Sequence, residues 1–273
     1  MKAKLQKMSM LIGISFFFSI QPATAQTMSA YEVMKKVDER DTGQSSVSES
    51  VMSLNDSIGN QRALQAKSYH KGGKGVTKSI TFFLMPANVR RTAFLSFDWE
   101  DETKEDDSWL YLPALRKAKH LTRNNKSGSF MGSDFTYSDI EGVNIEEYDY
   151  EFLKTSEEVD GHDTWVIQRK PKKALEKDVI KKTGYVKSTV WVRKDISMIV
   201  KGKFWVEKGK KIKHLTVTDI KKIDGIWTAH NTQMRTTKNK KVLHSTVLQT
   251  KSIKYNVPLK DGTFTTRRMT EGL

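Results

Sequence analysis

The chain has 273 residues, no cysteine, and 47 Lys and Arg against 32 Asp and Glu, a formal net charge of +15. Zero cysteine excludes a disulfide framework, a thiolate metal site and a cysteine nucleophile. The length suffices for one large core, and the charge admits nucleic acid, an anionic membrane surface or simple solubility.

Lys2, Lys4 and Lys7, the apolar run from Met8 to Ile20, and Ala23-Thr24-Ala25 read as a signal peptide over residues 1–25, cleaved before Gln26. The run is shorter than the roughly 20 apolar residues that span a bilayer. Export argues against nucleic acid as a partner. No cysteine follows the cleavage point to accept acyl chains, so residues 26–273 are expected to form a soluble, unanchored periplasmic protein, monomeric and a single domain. Lysines such as Lys187, Lys194, Lys201, Lys203 and Lys208 are scattered. They suit the wet faces and tips of strands, or transient contact with anionic lipid headgroups.

Ser29 and Glu32 form a capping box, and Tyr31, Val33, Met34 and Val37 give the following helix an apolar face that Gly43 is expected to end. The period then becomes alternating. Strands are predicted from Val47, over Arg62 to Tyr69, Ser79 to Met85 and Thr92 to Trp99, with turns at Gly59-Asn60, Gly72 to Gly75 and Pro86 to Asn88. Beyond Tyr148 the same grammar gives Tyr185 to Val192, Met198 to Val206, Ile212 to Ile223, Ile226 to Met234 and Val242 to Tyr255. The Asp160-Gly161 and Asp224-Gly225 pairs between alternating runs are strong hairpin signals. About eleven to thirteen strands with few helices imply an antiparallel meander, bent around a core or partly closed into a barrel.

Catalytic motifs are not found. His70, His120, His162, His214, His230 and His244 are widely spaced, with no zinc-binding pattern. Gly128-Ser129-Phe130-Met131-Gly132 has its serine in the wrong place for a nucleophile elbow. The expectation is no catalytic residue, no metal and no cofactor. The acidic run Asp98, Glu100, Asp101, Glu102, Glu105, Asp106 and Asp107 does not match a calcium loop. It reads as a solvated hairpin tip, with docking of a basic partner as the other reading.

The next segment holds Trp109-Leu110-Tyr111-Leu112-Pro113-Ala114-Leu115, then Gly128-Ser129-Phe130-Met131-Gly132-Ser133-Asp134-Phe135-Thr136-Tyr137. It reads as a loop leading to a short helix at Ser133 or Asp134. Exposing its apolar side chains would cost about 25 cal/mol per Å², so core, lid or ligand must cover them. These motifs resemble the LolA-like outer-membrane lipoprotein-sorting family, in a longer branch that carries them. Further matches are Val37-Asp38-Glu39-Arg40, Pro86-Ala87-Asn88-Val89, Asp219 to Trp227, and Phe264-Thr265-Thr266-Arg267. Arg90-Arg91 stands where the branch more often has a basic residue and glycine. The lid-locking arginine of the shorter chaperone has no assigned counterpart, so its lid mechanism is not carried over.

The resemblance implies a mainly β (α+β) fold, an incomplete antiparallel β-barrel with a few helices covering its concave face. It implies an apolar cavity for the acyl chains of a lipid or lipoprotein, transfer towards the outer membrane, and partnership with an inner-membrane transporter of the resistance-nodulation-division type. Candidates for cavity wall or lid are Met34, Phe82, Leu84, Phe94, Trp109, Tyr111, Phe130, Met131, Phe204 and Trp227; ordinary core is the competing reading of each. A non-catalytic accessory subunit of an envelope transporter, or a lipid- or glycan-modifying enzyme, would use the same fold differently.

Overall fold

The computed structural model describes residues 28–101 and 104–273, so the signal-peptide reading lies outside the described residues. Helix α1 (Ala30–Asp38) carries the expected capping box and ends earlier than expected, at Glu39 rather than near Gly43. A meander follows through β1 (Ser45–Asp56), β2 (Gln61–Lys71), β3 (Val76–Met85), β4 (Ala93–Trp99), β5 (Asp107–Leu112) and β6 (Lys117–His120). Residues 121–147 then cross over, with two short helices, α2 (Arg123–Lys126) and α3 (Tyr137–Glu141).

A second meander begins with β7 (Tyr148–Val159) and β8 (His162–Pro171), passes α4 (Glu176–Thr183), and continues through β9 (Tyr185–Arg193) and β10 (Met198–Val206). It ends with β11 (Lys211–Ile223), β12 (Ile226–Lys238) and β13 (Lys241–Tyr255), and α5 (Thr266–Glu271) follows. Among the described residues all strands form one 13-stranded sheet in the order β6 to β1, then β13 down to β7. β1 and β13 join the two meanders through an antiparallel ladder from Ser46–Tyr255 to Asp56–His244. β6 and β7 are therefore the free edges, and the crossover runs from one to the other. The result is an incomplete antiparallel barrel.

Strand register sorts the side chains onto two faces. Leu64, Ala66, Phe83, Phe94, Phe204, Met234 and Met52 lie on the inner face and pack against Leu121, Phe130 and Phe135 of the crossover. Ile80, Phe82, Leu95 and Tyr111 point outward and are covered by Phe264 and by Met269 of α5. Ala30, Val33 and Met34 of α1 pack on Ile167, Val190 and Val192 at the β7–β10 end. No helix among the described residues is long and apolar enough to cross a membrane.

The turn between β3 and β4 shows what the Arg90-Arg91 departure does. Arg91 has φ 69°, and its amide donates to the Phe83 carbonyl at 3.0 Å. A non-glycine residue in this left-handed region is destabilised by roughly 1–2 kcal/mol through its Cβ, partly offset by glycine's larger entropy in the unfolded chain. Arg91→Gly is expected to raise the stability to urea by up to about 1 kcal/mol, and Arg91→Val to lower it. A glycine variant less stable than the parent would refute this account.

Candidate functional site

The crossover is held to the inner face by polar side chains buried among apolar ones. Asp134, its side chain 1 % exposed, is the hub. One carboxylate oxygen accepts from the Thr236 hydroxyl and pairs with His244 Nδ1; the other accepts from the Thr246 hydroxyl at 2.8 Å. Thr246 Oγ1 in turn accepts from the Asp134 amide at 3.0 Å, and Lys213 Nζ donates to the Asp134 carbonyl at 2.6 Å. Arg62 donates to the Met131 carbonyl at 2.8 Å, and the Tyr185 hydroxyl to Asp139 at 2.7 Å. Burial in this setting pushes the Tyr185 pKa well up and the Lys213 pKa down. Around the hub, Phe130 meets Phe83, Phe94 and Tyr137 at ring-centroid distances of 5.4 to 5.9 Å.

Ion pairs also bridge the opening of the barrel, where among the described residues no ladder joins β6 to β7. Lys182 of α4 lies 3.7 Å from Asp106 and 3.6 Å from Glu147. Lys126 of α2 pairs with Glu141 of α3 at 2.9 Å and donates to the Asp106 carbonyl at 2.9 Å. These groups border a cleft of about 850 Å³ between α1, the β4–β5 tip and the 141–147 segment. Asp98 points into it. Desolvation first, then the charge and hydrogen bond of Asp106, push its pKa up to about 7, although solvent reaches its side chain at the cleft mouth. Desolvation and the neighbouring Glu39 and Glu146 also raise the Asp38 pKa.

The acidic run lies at the β4–β5 hairpin tip, as expected, with Asp98, Glu100, Asp101 and Glu105 exposed, and from there Asp98, Glu100, Glu105 and Asp106 also line the cleft. Asp107 contacts His120 at 3.1 Å and Trp99 Nε1 at 3.2 Å. Among the described residues, no group of three or more His, Asp or Glu is arranged to hold a metal ion.

A family model described as an uncharacterized protein matches residues 75–271. A putative outer-membrane lipoprotein-sorting protein domain from Vibrio parahaemolyticus is 30 % identical, with 88 % of this chain and 98 % of that chain aligned and a TM-score of 0.77. A DUF1329 family protein from Desulfovibrio piger is 33 % identical over 88 % of this chain and 97 % of that one, also with a TM-score of 0.77. The chain belongs to the LolA-like lipoprotein-sorting family. A LolA superfamily protein from Nitrosomonas europaea shares the fold at 20 % identity, with a TM-score of 0.65 over 87 % of this chain and 98 % of that one. Comparison with curated proteins finds no match.

Within this LolA-like fold the ten sequence candidates separate. Phe94, Phe130, Met131 and Phe204 meet in the inner-face core beneath the crossover. Phe82, Trp109 and Tyr111 join the outer-face cluster under the C-terminal segment. Met34 packs α1 onto β8 and β9. Leu84 shares the outward parity of Phe82, and Trp227 lies opposite Thr228 and Met234, beside Lys222. The Asp134 hub, Lys126, Glu141 and Lys182 were not singled out in the sequence. The available signal was Asp134 itself, a charge flanked by aromatic residues in a segment that must be covered.

Two predictions follow from this geometry. Asp134→Ala removes the shared partner of Thr236, Thr246 and His244 and leaves the two buried threonine hydroxyls unpaired, at a cost of roughly 1–3 kcal/mol. Urea unfolding should show that loss, and hydrogen exchange should show residues 127–141 opening first; a loss below about 1 kcal/mol would remove Asp134 from its role. The second concerns pH. The folded-state pKa of Asp98 lies above its ordinary value of 3.8, so folding favours the protonated form. Its contribution to stability is complete below about pH 4 and is lost as pH rises through about 7. Asp98→Asn should flatten the thermal-stability profile across that window, and parallel profiles for variant and parent would contradict the assignment.

Proposed function

We propose that this LolA-like protein is a non-catalytic periplasmic carrier that shelters the acyl chains of a lipid or lipoprotein on the way to the outer membrane. The observation that carries the reading is the apolar inner face, lined by Leu64, Ala66, Phe83 and Phe94 and covered by a crossover with only short helical turns. Membership of a lipoprotein-sorting family supports it. An acyl chain recovers roughly 0.8 kcal/mol per methylene moved out of water, so one chain gives useful affinity without a covalent step. Phe130, Phe135 and Tyr137 cover this face in the structure, and cargo takes their place as the crossover lifts. The excess of lysine favours brief contact with anionic headgroups while cargo is exchanged. Partnership with an inner-membrane transporter belongs to the same proposal.

Protein expressed with its leader and purified without detergent is expected to yield lipid in organic extracts analysed by mass spectrometry. It should also take up a fluorescent fatty acid. Phe130→Ala weakens the cover and should cost about 3–4 kcal/mol of stability while tightening fatty-acid uptake several-fold. Trp109→Ala, on the opposite face, should leave uptake unchanged. No extracted lipid together with no uptake would sink the carrier reading, and turnover of the lipid would point to an enzyme.

A further inference from the structure

The inner face is not uniformly apolar along the strands. On β2 it passes from Leu64 and Ala66 to Ser68 and His70; on β3 from Phe83 to Thr81, Ser79 and Thr77; on β4 from Phe94 to Ser96 and Asp98. The register sets these changes side by side, with Ser68 opposite Thr81, Ser79 opposite Ser96 and Thr77 opposite Asp98. Hydroxyl pairs Ser68–Thr81 at 2.8 Å and Ser79–Ser96 at 2.7 Å mark the boundary. Phe94 and Asp98 are about 13 Å apart along the strand. The polar zone ends in the 850 Å³ cleft, which His70, Thr77 and Asp98 help to line.

The cleft is acidic in a basic protein: among the described residues it is lined by nine Asp and Glu against five Lys and Arg. Each of those five already faces a carboxylate: Lys35 faces Glu39, Lys104 Asp101, Arg123 Glu105, Lys126 Glu141 and Lys182 Asp106. The surplus is therefore negative. Asp38 lies near the carboxylates of Glu39, Glu146 and Asp98, of which Glu146 is itself 3.7 Å from Lys172. Independently, Glu141 lines the cleft with its side chain only 5 % exposed, and neither carboxylate oxygen has a hydrogen-bond partner, although Oε2 forms an ion pair with Lys126 at 2.9 Å. Leaving a buried carboxylate oxygen unpaired is costly unless a donor arrives. A divalent metal would need a compact oxygen shell, and among the described residues no such grouping occurs. An organic cation with several N–H donors can reach carboxylates spread over the wall.

We propose that the cleft binds an organic ammonium group, carried by the head of the amphiphile whose chain occupies the apolar zone. This deepens the carrier reading and rests on it for the chain, whereas the cation site rests on the cleft alone. The same ammonium chemistry occurs in free polyamines, so the test separates the two sources.

Binding of dodecylammonium, dodecanoate and spermidine to the mature protein would be measured by calorimetry near pH 8, below micelle-forming concentrations. Dodecylammonium should bind about tenfold or more tightly than dodecanoate, as a charge-assisted contact in a partly desolvated site allows. The double variant Asp98→Asn/Glu146→Gln, at the more open side of the cleft, should reduce that preference to about twofold or less with its melting transition retained. Glu141→Gln should do the same, but it strips a buried lysine of its partner, so the double variant decides the matter. If neither amphiphile binds while spermidine binds the parent and not the variant, the ammonium site stands with a free amine as its ligand and the carrier reading fails. Equal binding of both amphiphiles, or a preference unchanged in the folded double variant, overturns the ammonium site and leaves the carrier reading intact. Binding of none of the three overturns both.

Discussion

The pairing of the first strand with the last is the constraint on which the rest of the molecule depends. Every other ladder in the sheet joins strands consecutive in the chain, through hairpins or, for β8 and β9, a connection carrying α4. The β1–β13 ladder instead joins segments about two hundred residues apart, with one bulge near Glu49 and Ser50. It is the step that carries the large loop-closure entropy. It also places β6 and β7 at the two free edges, so the connection between them must cross the opening. The covered inner face, the cleft and the inter-edge ion pairs all follow from where that one ladder puts the edges.

The opening is closed mostly by side chains. Lys182 bridges Asp106 from one edge and Glu147 from the other, and Lys126 ties α2 to both α3 and the β4–β5 tip. Taking such charges out of water is expensive, and the pairing roughly returns what desolvation removes. Ion pairs of this kind define geometry more than they add stability. The apolar load is carried elsewhere, by the inner cluster and by the outer cluster under α5. The sheet is covered on both faces over β3 to β5, while the inner cover is a segment of short turns.

The legible part of the fold was the part whose side chains alternate. From β7 onward one face packs and the other is wet, so strands such as Met198–Val206 could be placed from sequence to the residue. β5 was implied only as the strand after the acidic hairpin tip and given no bounds, because it is covered on both faces. Ser108 and Leu110 turn inward while Trp109 and Tyr111 turn outward under the C-terminal segment, and a doubly covered strand loses its two-residue period. α4 and α5 span only eight and six residues, too few for a helical period to stand out. The family motif located the crossover, yet the candidate list mixed both faces because parity along β3 to β5 was not followed. Following it from Phe94 would have turned Asp98 inward. Asp134 stood out as a charge among aromatic residues, but its partners could not be read in advance, because Thr236 and Thr246 lie more than a hundred residues away.

The chemistry of that hub bears on how a filled inner face could still serve a carrier. On the proposed carrier reading, cargo would replace Phe130, Phe135 and Tyr137, and an entering acyl chain would restore apolar contact of the same kind that the rings lose, so this exchange would be close to balanced. The decisive cost is then the release of Asp134 from its two threonines and His244. In the closed state these bonds are well aligned, but the carboxylate is stripped of water. When the crossover lifts, the carboxylate regains hydration, which offsets most of the hydrogen bonds it gives up. A latch of buried charge is therefore specific in geometry and shallow in free energy, unlike an apolar plug of the same size, whose exposure nothing in water would compensate. On that reading, a carboxylate at the centre of an aromatic cover would let one segment close the face in a defined register and still open at a cost that a single acyl chain can meet.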